Sequence, residues 1–448
     1  MERDAGLLID LLERTRARGA TAGDAILVED DSFSVQVRLG TIETLKSARE
    51  QRLGMRVFFG SRSAGTATSD FSSGSLERLV EETCALARAM AEDPHAGLPE
   101  TDDGAGRIPD LDLADPEAAD LGTEERIAFA RRAEAAALAV DPRITNSEGG
   151  EFGQSDARIV YANTHGFAGE YRAASAVLSA APVASQDGAM QRDYWWSAKR
   201  RVRDLDPPEA VGRTAAERTL RRLGARKVAT QEAPVVFDPQ MAASLVRTLA
   251  GAASGYAIYK STSFLVGKLG ERIASRLVTV MDDGTIPGGL GSKPFDAEGL
   301  ATRRTVVVEG GVLRTYLLDA YSARKLGLCS TGNATRSPGE SPTVGTTNLY
   351  LTAGTSSPEA IIRSVKSGLY VTEMIGFGIN LVTGDYSRGA VGLWIEDGEL
   401  AYPVEEITIA GNLKEMLGDI EMVGTDLEFR GATAAPTIKV GRMTIAGR

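Results

Sequence analysis

The sequence predicts an α+β protein in which two helix-flanked antiparallel β units precede a large, mostly antiparallel, β-rich C-terminal domain. The order helix, several strands, helix occurs twice before residue 228, and a segment rich in Pro, Gly and Asp separates the two occurrences. Beyond residue 276 the chain is rich in glycine and β-branched residues and has too few helices to link parallel strands. Its 448 residues are too many for one hydrophobic core.

The first unit, residues 1–92, is predicted to begin and end with a helix. Leucines and an isoleucine at helical spacing predict the first helix over 4–18, and Gly19 ends it. A second helix is expected over 72–90, with a serine available as its N-cap. Alternating apolar and polar residues between the helices predict strands over 25–28, 33–39, 41–46, 53–59 and 64–68.

The second unit, residues 123–227, follows a predicted linker over 93–122 whose Pro, Gly and Asp content is typical of a chain connection. A helix over 123–140 carries acidic residues in its first turn, where they suit the helix dipole. A closing helix over 207–223 starts at a proline. Strands are expected between these helices, over 143–152, 157–163, 166–180 and 189–200.

The third region, residues 228–448, is the β-rich domain. A buried strand over 235–237 is followed by Asp238, which is expected to cap a helix ending near residue 253. A further helix is predicted over 358–367. Asp397-Gly398 predicts a β-hairpin turn, because these residue types accept the positive φ angles that such a turn needs.

Charge and composition exclude several classes of function. With 50 basic and 61 acidic residues the net charge is −11, so phosphate backbones would repel the chain and we expect no direct nucleic-acid binding. The basic residues at 199–203 and 221–222 are interpreted as solvated. No stretch is long and apolar enough to predict a membrane helix. The start, MERDAG, lacks the features of a signal peptide, so we expect a cytoplasmic protein.

Metal-ligating residues are few. The two histidines, His95 and His165, form no HExxH pair, and two cysteines cannot form a disulfide framework in a chain of this size. Cys84 lies at helical spacing from apolar residues and is predicted to be a buried thiol. Carboxylates at 282–283 and 296–298 are interpreted as turn and surface residues. We therefore expect no metal ligands and no catalytic residues in this chain.

Three short motifs resemble catalytic signatures without meeting their requirements. Residues 385–389 lack the first glycine of G-x-S-x-G, and neither histidine is well placed to act as the base. The YxxxK spacing at 321–325 lacks the dinucleotide-binding turn that such enzymes need. The glycine-rich run 288–293 lacks the spacing of a phosphate loop and is interpreted as a mobile loop.

A polar loop between two glycines, residues 384–389, is the best candidate for binding a ligand, because glycines permit close backbone approach. Glycine-punctuated segments at 251–257, 285–292, 327–334 and 374–384 could border sheet edges that accept an extended peptide, or could be plain sheet turns. The candidate substrate-binding residues are Asp385, Tyr386, Ser387 and Arg388.

Three longer stretches carry a family resemblance. They are TGDYSRGAVGLWIEDGELAYPVEEITIAGNL from residue 383, SARKLGLCSTGNA at 322–334 and the ending GRMTIAGR. Together they strongly resemble the PmbA branch, also called TldE, of the TldD/PmbA family, and the resemblance runs from about residue 20 to the end. It implies a subunit of a cytosolic two-chain metallopeptidase that handles unfolded or flexible peptides in a closed cavity between its subunits.

The chain departs from the catalytic branch of that family at its zinc motif. In the TldD branch, the helix after the strand like 234–236 carries HExxxH. Here the matching residues, 247–252, read Arg-Thr-Leu-Ala-Gly-Ala and offer neither imidazole nor carboxylate. The zinc-binding cysteine near the end of that branch also has no counterpart, because the last cysteine is Cys329.

The resemblance and the missing ligands favour a non-catalytic, zinc-free subunit that pairs with a TldD-like chain, in which the zinc is expected. The alternative is a zinc-free homodimer that binds peptides without hydrolysing them. A modulator of DNA gyrase, an older description of this family, ranks third because of the acidic net charge.

Overall fold

The computed structural model of the chain describes residues 2–100 and 108–447 and confirms the α+β fold class. The predicted helices are present, with ends close to those expected except that the one starting at Pro358 stops at Arg363. Three short helices were not predicted. The helices are α1 Glu2–Ala17, α2 Ser73–Ala89, α3 Thr123–Leu138, α4 Pro208–Leu220, α5 Pro239–Ala252, α6 Gly255–Tyr259, α7 Ala320–Leu326, α8 Pro358–Arg363 and α9 Leu413–Gly418.

One antiparallel sheet combines the strands of both N-terminal units. Its order is β3-β2-β1-β4-β5-β6, and β7 also pairs with β5. Strand β1 pairs with β4 from Asp24 opposite Asn163 to Val37 opposite Gly150, which joins the two units along most of their length. The strands are β1 Ala22–Arg38, β2 Thr41–Phe59, β3 Arg62–Thr68, β4 Ile144–Asn163, β5 Ala168–Gln186, β6 Ala189–Arg192 and β7 Trp195–Lys199.

Several of these strands are longer than the sequence pattern suggested. The polar run at 29–32 interrupts the alternation of apolar residues, so the pattern predicted two strands where β1 is continuous. Each residue of this run pairs with β2 on one side and β4 on the other, which satisfies its backbone without burying its side chain. Helices α1 and α2 cover one part of the sheet, where Cys84 is buried as predicted.

The third region contains two further main sheets, of order β11-β10-β9-β14-β19 and β17-β16-β15-β8-β20-β18. Only β14–β19 and β15–β8 are parallel among their described pairs, so the region is mostly antiparallel as predicted. Its strands are β8 Gln231–Phe237, β9 Val280–Asp283, β10 Arg304–Glu309, β11 Val312–Leu313, β12 Ala334–Thr335, β13 Thr343–Val344, β14 Asn348–Leu351, β15 Ser367–Ile375, β16 Asp385–Glu396, β17 Glu399–Asn412, β18 Ile420–Val423, β19 Thr433–Ala434 and β20 Ile438–Ala446.

The predicted linker, 93–122, packs against the rest of the protein where it is described; residues 101–107 lie outside the described part. The guanidinium of Arg324 donates hydrogen bonds to the carbonyls of His95, Gly97 and Leu98. Leu111 is buried. The division of the chain at 92, 122 and 227 remains a prediction.

Most of the basic residues expected to be solvated are partly or fully buried instead, whereas Arg203 is exposed as expected. The Arg200 guanidinium donates to the carbonyls of Gly289 and Leu290, and Arg222 lies 2.6 Å from a carboxylate oxygen of Glu373. Both arginines belong to the second unit and contact acceptors in the third region. Their guanidinium groups therefore donate hydrogen bonds within the protein. None of the helices in the described residues has the length and apolar character needed to cross a membrane.

A buried ionic network connects all three regions. Asp24 accepts hydrogen bonds from Arg56 at 2.6 Å and from Arg336 at 2.8 Å. Arg56 also lies 3.4 Å from Glu298, whose backbone carbonyl accepts a hydrogen bond from the Tyr161 hydroxyl. The four charged side chains are at most 9% exposed, so each charge depends on its partners rather than on water.

Removing one charge from this network should strongly destabilise the fold. Arg336→Met keeps most of the side-chain volume but leaves Asp24 with one cation, and we expect a loss of about 3 kcal/mol or more in unfolding free energy. Arg314→Ala removes a half-exposed ion pair with Glu309 and should cost less than about 1 kcal/mol. Denaturant unfolding measures both. Equal losses would show that the buried network is not a special source of stability.

The same network predicts a pH dependence. Burial raises the pKa of Glu298 to about 7, with Arg56 opposing the shift. The folded chain therefore holds this proton more tightly than the unfolded chain, so the contribution is present below pH 4.5 and is lost as pH rises through about 7. Glu298→Gln should flatten the fall in melting temperature across this window. The exposed Glu399→Gln is the control, and an identical profile for wild type and Glu298→Gln would contradict the assignment.

Candidate functional site

Helix α5 is the element on which the candidate site is built. The Asp238 side chain caps it by accepting a hydrogen bond from the Met241 amide at 2.9 Å, as predicted, and Pro239 occupies its first turn. Apolar residues on one face, such as Leu245 and Leu249, are buried in the core of the third region. The opposite face is polar and lies on a cleft.

The cleft has a volume of about 730 Å³ and lies between the second unit and the third region. Strand β7 and the residue before it provide an aromatic wall, and the polar face of α5 provides a second wall. A third side comes from residues 426–435, including β19, which is the last strand of its sheet. The residues that line the cleft and carry the following argument are Tyr194, Trp195, Trp196, Arg218, Asp238, Gln240, Met241, Ser244, Arg247, Glu428 and Arg430.

The aromatic wall combines stacked rings with two cations. Tyr194 and Trp196 stack with ring centroids 5.6 Å apart, and Tyr194 is 38% exposed. The guanidinium groups of Arg218 and Arg430 lie 5.0 and 4.5 Å from the Trp195 ring centroid. Such cation–π contacts fix the indole, so the wall is a rigid and partly apolar surface.

Most charges in the cleft are already paired. Arg430 lies 2.8 Å from Glu428, and Arg218 lies 3.3 Å from Asp193 and 3.9 Å from Asp238. Burial raises the pKa of Asp238 to about 6 even though Arg218 opposes this shift. The carboxyl thus stays close to neutrality at mildly acidic pH, and the paired arginines carry little free charge into the cleft.

Two donors on α5 lack an acceptor. Arg247 is exposed at the cleft and makes no hydrogen bond or ion pair with any part of the chain that the structure describes. The side-chain nitrogen Nε2 of Gln240 is buried and has no hydrogen-bond partner among the described residues. Both side chains line the cleft, seven residues apart along the helix.

The residues on α5 do not fit zinc. At the positions that match HExxxH, Arg247 carries a fixed positive charge, the Thr248 hydroxyl donates to the Ser244 carbonyl at 2.9 Å, and Ala252 is buried. His165 contacts the Pro99 carbonyl through Nδ1 at 3.1 Å, in a different part of the fold. Residues 2–100 and 108–447 contain no group of three or more His, Cys, Asp or Glu residues that could hold a metal ion.

The carboxylates at 282–283 and 296–298 are buried, and their interpretation as turn and surface residues was wrong. Asp282 accepts hydrogen bonds from the Asn333 side chain and the Thr347 amide, and Asp296 accepts from the amides of Glu298 and Leu300. The oxygens of Asp282 and Asp296 therefore already accept hydrogen bonds from within the protein. Their burial follows from contacts between distant segments, which local composition does not reveal.

The predicted polar loop at 384–389 is instead the start of β16. Residues 385–388 pair in register with β17, from Asp385 opposite Asn412 to Arg388 opposite Ile409. Alternation along the strand exposes Asp385 and Ser387 and buries Tyr386, whose hydroxyl lies 2.7 Å from the Met374 sulfur. Arg388 donates to the Met374 carbonyl at 3.4 Å.

None of these four residues is among those lining the cleft, and their substrate-binding role remains a prediction. The glycines near this segment were expected to allow a ligand to approach the backbone closely. The structure gives another reason for Gly378, because a Cβ there would lie 1.9 Å from the Ser387 carbonyl oxygen. The approaching group is thus a neighbouring part of the same chain.

The aromatic wall was missed in the sequence because residues 189–200 were predicted only as a strand, a segment that the structure divides into β6 and β7 with Tyr194 between them. Its only local signal is the run Tyr194-Trp195-Trp196, which holds two of the three tryptophans. Tryptophan and tyrosine are frequent at binding surfaces, so the run could have marked a site. Its partner across the cleft, Arg247, could be identified only once α5 was placed beside it.

Family models match most of the chain. Domain 1 of the PmbA/TldA metallopeptidases matches residues 23–89, the central domain matches 116–223, and the C-terminal domain matches 230–447. These matches place the chain in a family of metallopeptidases. It belongs to the PmbA/TldD family, as the sequence motifs indicated.

Individual relatives agree over nearly the whole length. Metalloprotease PmbA from Escherichia coli O157:H7 is 39% identical over 433 residues, which are 96% of this chain and 94% of that protein. A solved structure from Bacteroides thetaiotaomicron, described as a candidate modulator of DNA gyrase, is 28% identical and superimposes with a TM-score of 0.93 over 100% of both chains.

Relatives named after the two branches match to different extents. A PmbA homologue from Haemophilus influenzae is 36% identical over 97% of this chain and 94% of that protein. A TldD homologue from the same organism is 34% identical, but over only 38% of this chain and 36% of that protein.

The composition of the α5 face predicts that the purified chain binds no stoichiometric zinc. Zinc needs three protein ligands in a catalytic site, and the cleft presents a cation instead. Elemental analysis after dialysis against zinc should give far less than one ion per chain. About one zinc per chain, lost together with peptidase activity on adding a chelator, would overturn this prediction.

Proposed function

We propose that the chain is a non-catalytic, zinc-free subunit of a heteromeric, cytoplasmic metallopeptidase that acts on unfolded or flexible peptides, in proteolysis and peptide maturation. A TldD-like partner chain would supply zinc and the general base. The observation that carries the proposal is the polar face of α5, where Arg247 and Thr248 stand at positions that match zinc-motif residues in the catalytic branch. The buried face of α5 still packs in the core, so the helix is present but lacks the zinc ligands and the general base.

The cleft supports a role in holding peptide. It combines the stacked rings of Tyr194 and Trp196 with β19, the last strand of its sheet, and with two donors on α5 that have no acceptor in the described part of the chain. Extended peptides bind proteins through backbone groups of strands and through apolar pockets for alternate side chains. A site of this kind tolerates many sequences, as a subunit that handles flexible peptides requires.

The existence of a partner is supported by the relatives. Haemophilus influenzae has both a PmbA homologue that matches nearly all of this chain and a TldD homologue that matches about a third of it. Two related but distinct chains in one organism are consistent with a division between a catalytic and a non-catalytic subunit.

A zinc-free homodimer that binds peptide without hydrolysis is the second candidate, and it rests on the same cleft without the partner. Gyrase modulation ranks third. It is favoured only by the description of the Bacteroides thetaiotaomicron protein, and the net charge of −11 disfavours direct contact with DNA.

Hydrolysis should require both chains. We expect no cleavage of a casein-derived peptide by this chain alone and cleavage after a TldD-like chain with HExxxH is added. Replacing the partner's motif histidines should abolish activity, because they would hold the metal. Chromatography with light scattering measures whether the two chains form one complex.

The control replaces both histidines of this chain, His95→Ala and His165→Ala, and should leave the activity of the complex intact. Loss of activity in that double variant, with the fold preserved, would contradict a non-catalytic role. Peptide binding by a stable homodimer that never associates with the TldD-like chain would favour the second candidate.

A further inference from the structure

We propose that the cleft beside α5 is a subsite for a peptide carboxylate, with Arg247 as the group that binds it. This proposal deepens the proposed function, on which it rests, by naming the part of the peptide that the subunit holds. It depends on three observations within the described residues: a guanidinium without a partner, a second donor without an acceptor, and an aromatic wall that lines the same cleft.

Arg247 is suited to bind an external anion. The other arginines of the cleft wall are held by protein carboxylates or by the Trp195 ring, whereas Arg247 has no partner in the described parts of the chain. A guanidinium presents five N–H donors in a planar arrangement that matches a carboxylate in two-point contact. Arg218, Glu428 and Arg430 are already in ion pairs, and Asp426, which also lines the cleft, accepts two hydrogen bonds from Thr437. Arg247 is therefore the cation that remains for an anion entering the cleft.

Gln240 defines a second contact point. Its Nε2 group is buried without an acceptor, and it lies seven residues before Arg247 on the same helix. Seven residues of helix span about 10.5 Å, and three residues of extended peptide span about 10 Å. A peptide carbonyl about three residues before the carboxylate would lie level with Gln240, and the buried Gln240 amide would turn toward the cleft to donate to it.

The apolar part of the ligand has a surface on the aromatic wall. Tyr194 and Trp196 form a stacked pair that lines the same cleft as α5, and Met241 lines the cleft from the first turn of the helix. Side chains that point away from α5 would pack on these rings. The carboxylate could be the peptide's C-terminus or an acidic side chain, and both share the same recognition chemistry.

The test measures peptide binding by the full-length chain with fluorescence anisotropy. The probes are an N-terminally labelled apolar hexapeptide with a free C-terminal carboxylate, its C-terminal amide, and the amide with one internal glutamate. Arg247→Ala should weaken binding of the free acid about tenfold, as expected for loss of a charge-assisted contact. Arg247→Lys should restore part of it. Arg131→Ala removes an exposed arginine on α3 that has no hydrogen-bond or ion-pair partner among residues 2–100 and 108–447, and it is the matched control.

The three probes separate the two sources of the carboxylate. Binding of the free acid alone assigns the site to C-termini, and tight binding of the glutamate-containing amide assigns it to acidic side chains. Tryptophan fluorescence gives an independent readout, because Trp195 and Trp196 line the cleft while Trp394 is 3% exposed in the core. Absence of binding, binding equal for the acid and both amides, or equal losses in Arg247→Ala and Arg131→Ala would each overturn the proposal.

The same variants distinguish this inference from the proposed function. If a complex with the TldD-like chain hydrolyses peptides and Arg247→Ala binds the free acid like wild type, the subunit role stands and the carboxylate subsite is wrong. If no partner restores hydrolysis but binding still depends on Arg247, the subsite stands and the subunit role is wrong.

Discussion

The contact among Asp24, Arg56, Arg336 and Glu298 constrains the whole architecture, because it brings two cations and two carboxylates together in a place that water does not reach. Buried ion pairs add little net stability compared with apolar packing, but an unpaired buried charge is costly. The charges come from the first unit and the third region, and Tyr161 of the second unit donates to the Glu298 carbonyl. Any arrangement that separates these regions leaves at least one charged side chain without its partner.

This constraint positions the cleft, whose walls come from different regions. Strand β7 and α4 belong to the second unit, whereas α5 and β19 belong to the third region, so the site exists only when the two are docked. Arg200 and Arg222 reinforce that docking through the Gly289 carbonyl and the Glu373 carboxylate. Both contacts join the second unit, which carries the aromatic wall, to the third region, which carries α5.

Sequence reasoning succeeded where the determinants were local. The cap at Asp238, the turn at Asp397-Gly398 and the apolar faces of the longer helices all depend on neighbours a few residues away. It failed where pairing partners are distant. The start of β16 was taken for a loop because its register with β17 is not visible in a polar run, and the cleft could not be foreseen because its walls are far apart in sequence.

In helix α5 the residues that hold the helix in the core are separate from those that face the cleft. Leu245, Leu249 and their neighbours hold the helix in the core, and these contacts are independent of the residues that face the cleft. Zinc ligands or an arginine can therefore occupy the cleft face without altering the packing, since an exposed substitution has a small effect on stability. The fold thus assigns α5 a position beside a cleft, and the side chains on its outer face decide its chemistry. In this chain that face presents the Arg247 guanidinium and the Gln240 amide, the two groups on which the proposed carboxylate subsite rests.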